Sequence, residues 1–223
     1  MTRIASQNIV DLLPIHKGVI FVKKEITKDE RIKASFFAYD TQTQSLSSAT
    51  KNAYLITKFG SAASVITPHL ADYISCGVLK LKNGSIFICY KSGEIGIFSD
   101  KGILLFSDDV YYHEYPVRDC TDDEDSIWFT VPDSNQIVCY SLDKKRITLR
   151  IGDDTNPTFG RPLTIEKIDK HLYVCCKSES AIKRVSLDNY TVETYKTFDE
   201  PLYKYLRIDG NEFVLLESGL YLL

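Results

Sequence analysis

The chain has 223 residues and no run of uncharged apolar residues long enough to cross a membrane as a helix. It also lacks a basic excess, because 27 Lys and Arg face 30 Asp and Glu, and this argues against a domain that holds nucleic acid on a basic face. An apolar signal core is missing at the start, where Gln7, Asn8 and Asp11 interrupt it. We therefore expect a cytoplasmic protein that binds neither nucleic acid nor a membrane.

Sequence motifs that carry chemistry are also missing. There is no Cys-x-x-Cys pair, no Gly-x-Ser-x-Gly elbow, no phosphate loop and no dinucleotide fingerprint. The four histidines are scattered, and no carboxylate partner is evident from their spacing. We therefore predict no catalytic residue and no cofactor. Calcium would be bound only under the hydrolase hypothesis described below. The six cysteines are expected to be buried, reduced thiols.

The feature that is present is a repeat. Three apolar strands end in an aspartate, and Asp100, Asp143 and Asp188 lie 43 and 45 residues apart. A stronger apolar strand precedes each of them, and a further one lies near the end of the chain. Turns such as Asn83–Gly84 and Asp209–Gly210 lead into these strands, and such pairs suit the positive φ angles of tight hairpins. The repeating unit is thus a four-stranded meander of about 43 residues.

A four-stranded unit that recurs every 40 to 50 residues is typical of a β-propeller, because one such sheet must stack on its neighbours to bury both faces. We predict a single all-β domain over residues 1–223 with five antiparallel blades. The segment near residues 52–75 exceeds the repeat length, and there would be six blades if it forms a degenerate blade. In that segment we expect a strand at 53–56 and a short helix starting at Thr67–Pro68. A strand near residues 4–10 is expected to complete the last blade and close the ring.

Two segments resemble a known repeat class. The stretch from Gly152 to Pro162 with the strand His171–Val174 after it, and Asp133–Ile137 after Trp128–Phe129, are similar to the NHL-type propeller repeat. The resemblance covers residues 75–223. It implies a propeller fold, and NHL-like propellers include both partner-binding modules and metal-dependent hydrolases.

Acidic doublets follow the outer strands of three units, and a proline follows each doublet into the next blade. In a closed ring these doublets converge on one rim, which would attract a basic peptide or a cation. The competing interpretation is that paired aspartates only start turns and keep loops soluble. One of the loops also carries aromatic side chains with polar tips, which are common in binding surfaces. The predicted rim comprises Asp108, Asp109, Tyr111, Tyr112, His113, Asp153, Asp154, Asp199 and Glu200.

Three functions remain open from the sequence. The first is a non-enzymatic module that binds a protein or peptide on the predicted rim, whose acidic charge would favour a basic partner. The second is a calcium-dependent, gluconolactonase-like hydrolase with oxygen ligands in the central channel. We place no ligand set for it, because the inner strand positions look apolar or are cysteines. The third is a small sugar-binding propeller, which would need an aromatic platform in each blade, whereas Trp128 is the only tryptophan.

Overall fold

The strands pair in consecutive antiparallel groups of four, and each group forms one blade of a five-bladed β-propeller. The computed structural model describes residues 1–27, 29–70, 72–153 and 158–223. Strand β1 (Thr2–Ser6) comes first in the chain but belongs to the last blade. The first blade follows β1 directly in the sequence. It contains β2 (Ile9–Ile15), β3 (Gly18–Ile26), β4 (Ile32–Asp40) and β5 (Ser45–Ala49).

A helical insertion separates the first blade from the second. It consists of helix α1 (Lys51–Phe59), a 3-10 turn (Gly60–Ala62), the short helix α2 (Ala63–Ile66) and a second 3-10 turn (Thr67–His69). The second blade contains β6 (Gly77–Lys80), β7 (Ile86–Cys89), β8 (Glu94–Phe98) and β9 (Leu104–Asp109).

The third blade follows a small hairpin on the connecting segment, formed by β10 (Tyr111–Tyr112) and β11 (Tyr115–Pro116). The blade itself contains β12 (Cys120–Asp123), β13 (Ser126–Val131), β14 (Gln136–Ser141) and β15 (Arg146–Ile151). A 3-10 turn (Pro132–Ser134) joins β13 to β14. Ile147, Leu149 and Ile151 are half-buried and alternate with exposed residues along the outer strand.

The last two blades repeat the pattern. The fourth contains β16 (Pro162–Ile168), β17 (His171–Cys176), β18 (Ala181–Ser186) and β19 (Val192–Thr197). The fifth contains β20 (Leu202–Ile208), β21 (Asn211–Leu216) and β22 (Gly219–Leu222). Its fourth strand is β1, which pairs with β22 and so closes the ring. Closure by the amino-terminal strand was predicted, although the pairing segment is 2–6 because Ile9 and Val10 already belong to β2.

The strand β1 fits against β22 because residue 219 has no side chain. A Cβ atom at Gly219 would lie 2.1 Å from the carbonyl oxygen of Ala5, a distance that no other residue type tolerates there. The seam is reinforced by Arg3, whose guanidinium donates a hydrogen bond to the carbonyl oxygen of Ser218 at 2.7 Å. Ile4 and Ala5 pack against the apolar cluster between the fifth and first blades.

The first strand of each blade lines the centre of the ring. These strands contact one another around the ring, β6 with β12, β12 with β16, β16 with β20, and β20 with β2. Apolar clusters fill the spaces between neighbouring sheets, and all six cysteines are buried as free thiols, as predicted. No helix of the described residues is long and apolar enough to cross a membrane.

The space between the first and second blades is filled differently. There the helical insertion packs on both sheets, with Tyr54 against Ile20 and Val22 of the first blade. Phe59 and Ile66 pack against the second blade. The insertion is therefore a wedge that completes the ring, and the described residues contain no sixth blade.

The strand predicted at 53–56 is wrong, because these residues lie in α1. Thr50 caps the helix by accepting a hydrogen bond from the amide of Ala53 at 3.1 Å. Tyr54 and Lys58 are buried together on one face, and a spacing of four residues is that of a helix. The short helix predicted at Thr67–Pro68 is only a 3-10 turn.

Candidate functional site

A cavity of about 570 Å³ opens along the axis of the ring. Its wall is built from the first strands of all five blades and from the helical insertion. Eight of its lining residues carry charged side chains, and they come from every blade and from α1. They are Asp11, Lys24, Lys58, Lys91, Arg118, Asp119, Glu166 and Lys204.

Asp11 holds a buried cluster on the side of the cavity next to α1. Its carboxylate accepts hydrogen bonds from the Tyr54 hydroxyl at 2.5 Å and the Lys58 ammonium at 2.7 Å, and Lys204 lies at 3.4 Å. The Lys58 ammonium also donates to the carbonyl oxygen of Ile74 at 2.6 Å. Burial alone would raise the pKa of Asp11, but Lys58 and Lys204 lower it well below its usual range. Asp11 is therefore ionised and holds α1 against the wall.

Two further carboxylates line the cavity from the third and fourth blades. Asp119 accepts a hydrogen bond from the amide of Ile165 at 3.0 Å and so links the two blades. Burial raises the pKa of Asp119 and raises that of Glu166 to about 7. Burial lowers the pKa of Lys204, but Asp11, Asp119 and Glu166 more than offset this, so its pKa is raised. The cavity thus contains a carboxyl group that titrates near neutral pH.

The expectation that the inner strand positions are only apolar or cysteine is wrong. Asp11 and Lys204 are each the third residue of a first strand, and in both strands the pairing register shifts between the first residue and the third. Bulges redirect side chains, and here the third residue faces the channel among apolar neighbours. The first strand of the third blade starts at Cys120. The preceding segment still belongs to the connector, where the Val117 amide donates to the Val110 carbonyl.

The predicted rim lies on the face where the segments joining successive blades meet the turns between second and third strands. Three hydrogen bonds tie these segments to those turns. The Tyr111 hydroxyl donates to the Ser92 carbonyl at 2.7 Å. The Arg161 amide donates to the Asn135 side chain at 2.9 Å, and the Ser218 amide to Glu200 at 2.7 Å. We call this surface the loop face.

Two carboxylates of the predicted rim have partners inside the protein. Asp108 accepts a hydrogen bond from the Tyr140 hydroxyl at 2.6 Å, and burial together with Asp108 raises the pKa of Tyr140. Glu200 accepts hydrogen bonds from the amide and hydroxyl of Ser218. Asp109 and Asp199 are exposed, and neither carboxylate forms an ion pair or hydrogen bond within the described part of the chain.

The aromatic residues of the predicted rim form the β10–β11 hairpin. Tyr111 is 44% exposed, whereas the Tyr112 hydroxyl bonds to the guanidinium of Arg150. His113 stands at the tip with φ of 54° and packs edge-on against Tyr112. Asp153 is exposed, and Asp154 lies outside the described residues.

Metal ligands and stacking platforms are the features that the two other hypotheses require. No group of three or more His, Cys, Asp and Glu side chains within the described ranges is arranged to hold a metal ion. Trp128 is 1% exposed and packs between the third and fourth blades, so its ring offers no surface to a sugar. The geometry therefore gives no support to either hypothesis.

Comparisons with known proteins identify the fold. No protein-family model and no curated protein matches the chain. A streptogramin B lyase structure is 13% identical with a TM-score of 0.50, over 98% of this chain and 94% of that one. A virginiamycin B lyase from Staphylococcus aureus is 11% identical with a TM-score of 0.53, over 100% of this chain and 72% of that one.

A protein of unknown function from Bacteroides caccae is 10% identical with a TM-score of 0.53, over 95% of this chain and 71% of that one. Identities this low show a shared fold and nothing about activity. The NHL-type resemblance remains a prediction. What the comparisons and the strand pairing establish together is a β-propeller.

Proposed function

We propose that the protein is a non-enzymatic binding module whose loop face takes a basic peptide segment of a partner protein. The observation that carries this proposal is the set of hydrogen bonds from the blade connectors to neighbouring turns. They involve Tyr111, Arg161 and Glu200. A surface held in one conformation before binding loses little conformational entropy when the partner arrives.

Charge supports a basic partner. The connecting segments 108–119, 152–161 and 198–201 contain eight Asp and Glu against two Arg. Asp109 and Asp199 are exposed on this surface and have no cationic partner in the described residues. Such carboxylates are available to a Lys or Arg of a ligand, and the exposed ring of Tyr111 provides apolar contact area beside them.

The experiment is a selection of short random peptides displayed on phage against the immobilised protein. We expect the enriched peptides to contain an excess of Lys and Arg. Their affinity should fall at least about tenfold in the D109K/D199K variant, because each substitution replaces an attraction by a repulsion. The matched control is D100K/D143K, which makes the same charge change in exposed turns between third and fourth strands.

Two results would contradict the proposal. One is enrichment of peptides with no basic excess. The other is equal affinity of the selected peptides for D109K/D199K and D100K/D143K, since binding would then occur away from the loop face or without regard to its charge.

A further inference from the structure

Three cationic side chains line the central cavity from three successive blades. Lys24 lies on β3 of the first blade, Lys91 in the turn after β7 of the second, and Arg118 just before β12 of the third. Burial, then Arg118 and Lys24, lower the pKa of Lys91, whereas Asp72 and Asp11 raise it. Lys91 is therefore repelled by both of the other cations.

These cations differ from Lys58 and Lys204 in forming no direct ion pair, although Asp72 and Asp11 lie near enough to Lys91 to raise its pKa. Lys58 and Lys204 both face the carboxylate of Asp11, at 2.7 and 3.4 Å. Within the described ranges, the side chains of Lys24, Lys91 and Arg118 form no ion pair and no hydrogen bond. Like charges that lack a direct ion pair repel one another, and an anion between them would reduce that repulsion.

The remaining wall limits the kind of anion. A volume of about 570 Å³ is that of a pocket for a small organic molecule. A guanidinium pairs its two parallel N–H groups with the oxygens of a carboxylate or a phosphate, and ammonium groups bind the same oxygens as point charges. Asp119, next to Arg118, and Glu166 on the fourth blade discourage a second anionic group near them.

We propose that the central cavity binds a small organic molecule through one carboxylate or phosphate group, held by Lys24, Lys91 and Arg118. This site is distinct from the loop-face rim carboxylates and goes beyond the proposed function. The ligand enters from the loop face, because Lys91 and Arg118 lie in the turn and connector that form it. Its body then extends into the channel along the first strands.

The test measures affinity by isothermal titration calorimetry with butyrate, benzoate, glucose 6-phosphate and inorganic phosphate. Butyramide, benzamide and glucose serve as neutral counterparts. We expect at least one organic anion to bind, its neutral counterpart to bind at least about tenfold more weakly, and the affinity to fall as salt rises. K91Q/R118Q should weaken binding at least about tenfold, because two of the three charge contacts are lost.

The matched control is K82Q/R146Q, which removes one exposed Lys and one exposed Arg elsewhere, and it should bind like the wild type. D109K/D199K should also retain the organic anion, so that failure of the peptide experiment and failure of this one are distinguishable. If K91Q/R118Q does not fold, the proposal is tested on the wild-type protein alone, by the salt dependence of the affinity and by the comparison of each anion with its neutral counterpart.

Three results would overturn the proposal. They are no binding by any organic anion of the panel, equal binding of anions and their neutral counterparts, and equal affinity of K91Q/R118Q and K82Q/R146Q. Binding of inorganic phosphate alone would overturn the assignment of an organic ligand.

Discussion

Replacement of Lys58 by Met is expected to lower the free energy of unfolding by about 3–5 kcal/mol at pH 7. The Lys58 side chain is 2% exposed and its ammonium lies 2.7 Å from Asp11, which is 9% exposed. Without Lys58, the Asp11 carboxylate stays buried with only the more distant Lys204 as a cation, at 3.4 Å. The bond from Lys58 to the Ile74 carbonyl is lost as well.

Urea unfolding measures this loss, and a second variant assigns its cause. D11N/K58M removes both charges of the pair, so it should recover part of the stability lost in K58M, since residue 11 no longer carries a buried charge and Lys204 keeps Asp119 and Glu166 nearby. If K58M lowers the free energy of unfolding by less than about 1 kcal/mol, as for an exposed pair, water or another cation compensates the charge of Asp11. In that case the ion pair would not be what holds α1 to the ring.

Replacement of Glu166 by Gln is expected to stabilise the protein at pH 8 and to have little effect at pH 5. Burial, with smaller contributions from Asp119 and Asp122, raises the pKa of Glu166 from 4.5 to about 7, although Lys204 opposes the shift. The folded state then binds the proton more tightly than the unfolded chain. The contribution of Glu166 to stability is therefore full below pH 4.5 and is lost as pH rises towards 7.

The size of this effect follows from the shift. A rise from 4.5 to about 7 corresponds to at most about 3 kcal/mol, and water in the channel reduces it. Urea unfolding of wild type and E166Q between pH 5 and pH 8 measures the difference, with E217Q as a control for an exposed carboxylate. A difference between E166Q and wild type that does not change with pH would show that Glu166 keeps an ordinary pKa.

Much of the fold was predictable from local sequence. Each blade depends on hairpins and strands whose residues are close in the chain, so turn signals such as Asp209–Gly210 recur in phase with apolar strands. Both residues of that turn have positive φ, at 49° and 79°, as the tight hairpin requires. The repeat length then determines the propeller, because stacking of like units is the only way such sheets bury both faces.

The helical wedge was not predictable in the same way. Residues 53–56 are as apolar as many strands, and a short apolar run does not distinguish a strand from a buried helix. The spacing of Tyr54 and Lys58 was the available signal, but a lysine is rarely buried unless it is paired. Its partner Asp11 lies 47 residues earlier, and only the folded ring brings the two together.

The charged channel was missed for a related reason. Asp11, Asp119, Glu166 and Lys204 come from four blades and are far apart in the sequence. Each lies in or next to a first strand, and none forms a recognisable motif with the residues beside it. A comparison of the third positions of the first strands would have revealed Asp11 and Lys204, had the strand starts been known.

Closure of the ring is the claim on which both proposed sites depend, because it brings the connectors to one face and surrounds the channel. A disulfide between Cys residues introduced at positions 2 and 222 tests it, since Thr2 and Leu222 lie directly opposite each other in the β1–β22 pair. Side chains that face each other in this way are close enough to be bridged. T2C/K101C is the control, with its second cysteine in the second blade.

We expect oxidised T2C/L222C to remain monomeric, with the mass loss of one disulfide, and to gain about 2–4 kcal/mol in the free energy of unfolding over its reduced form. T2C/K101C should form no intramolecular bridge. Oxidation of T2C/L222C only to dimers, or equal bridging in T2C/K101C, would contradict closure of the propeller by its amino-terminal strand.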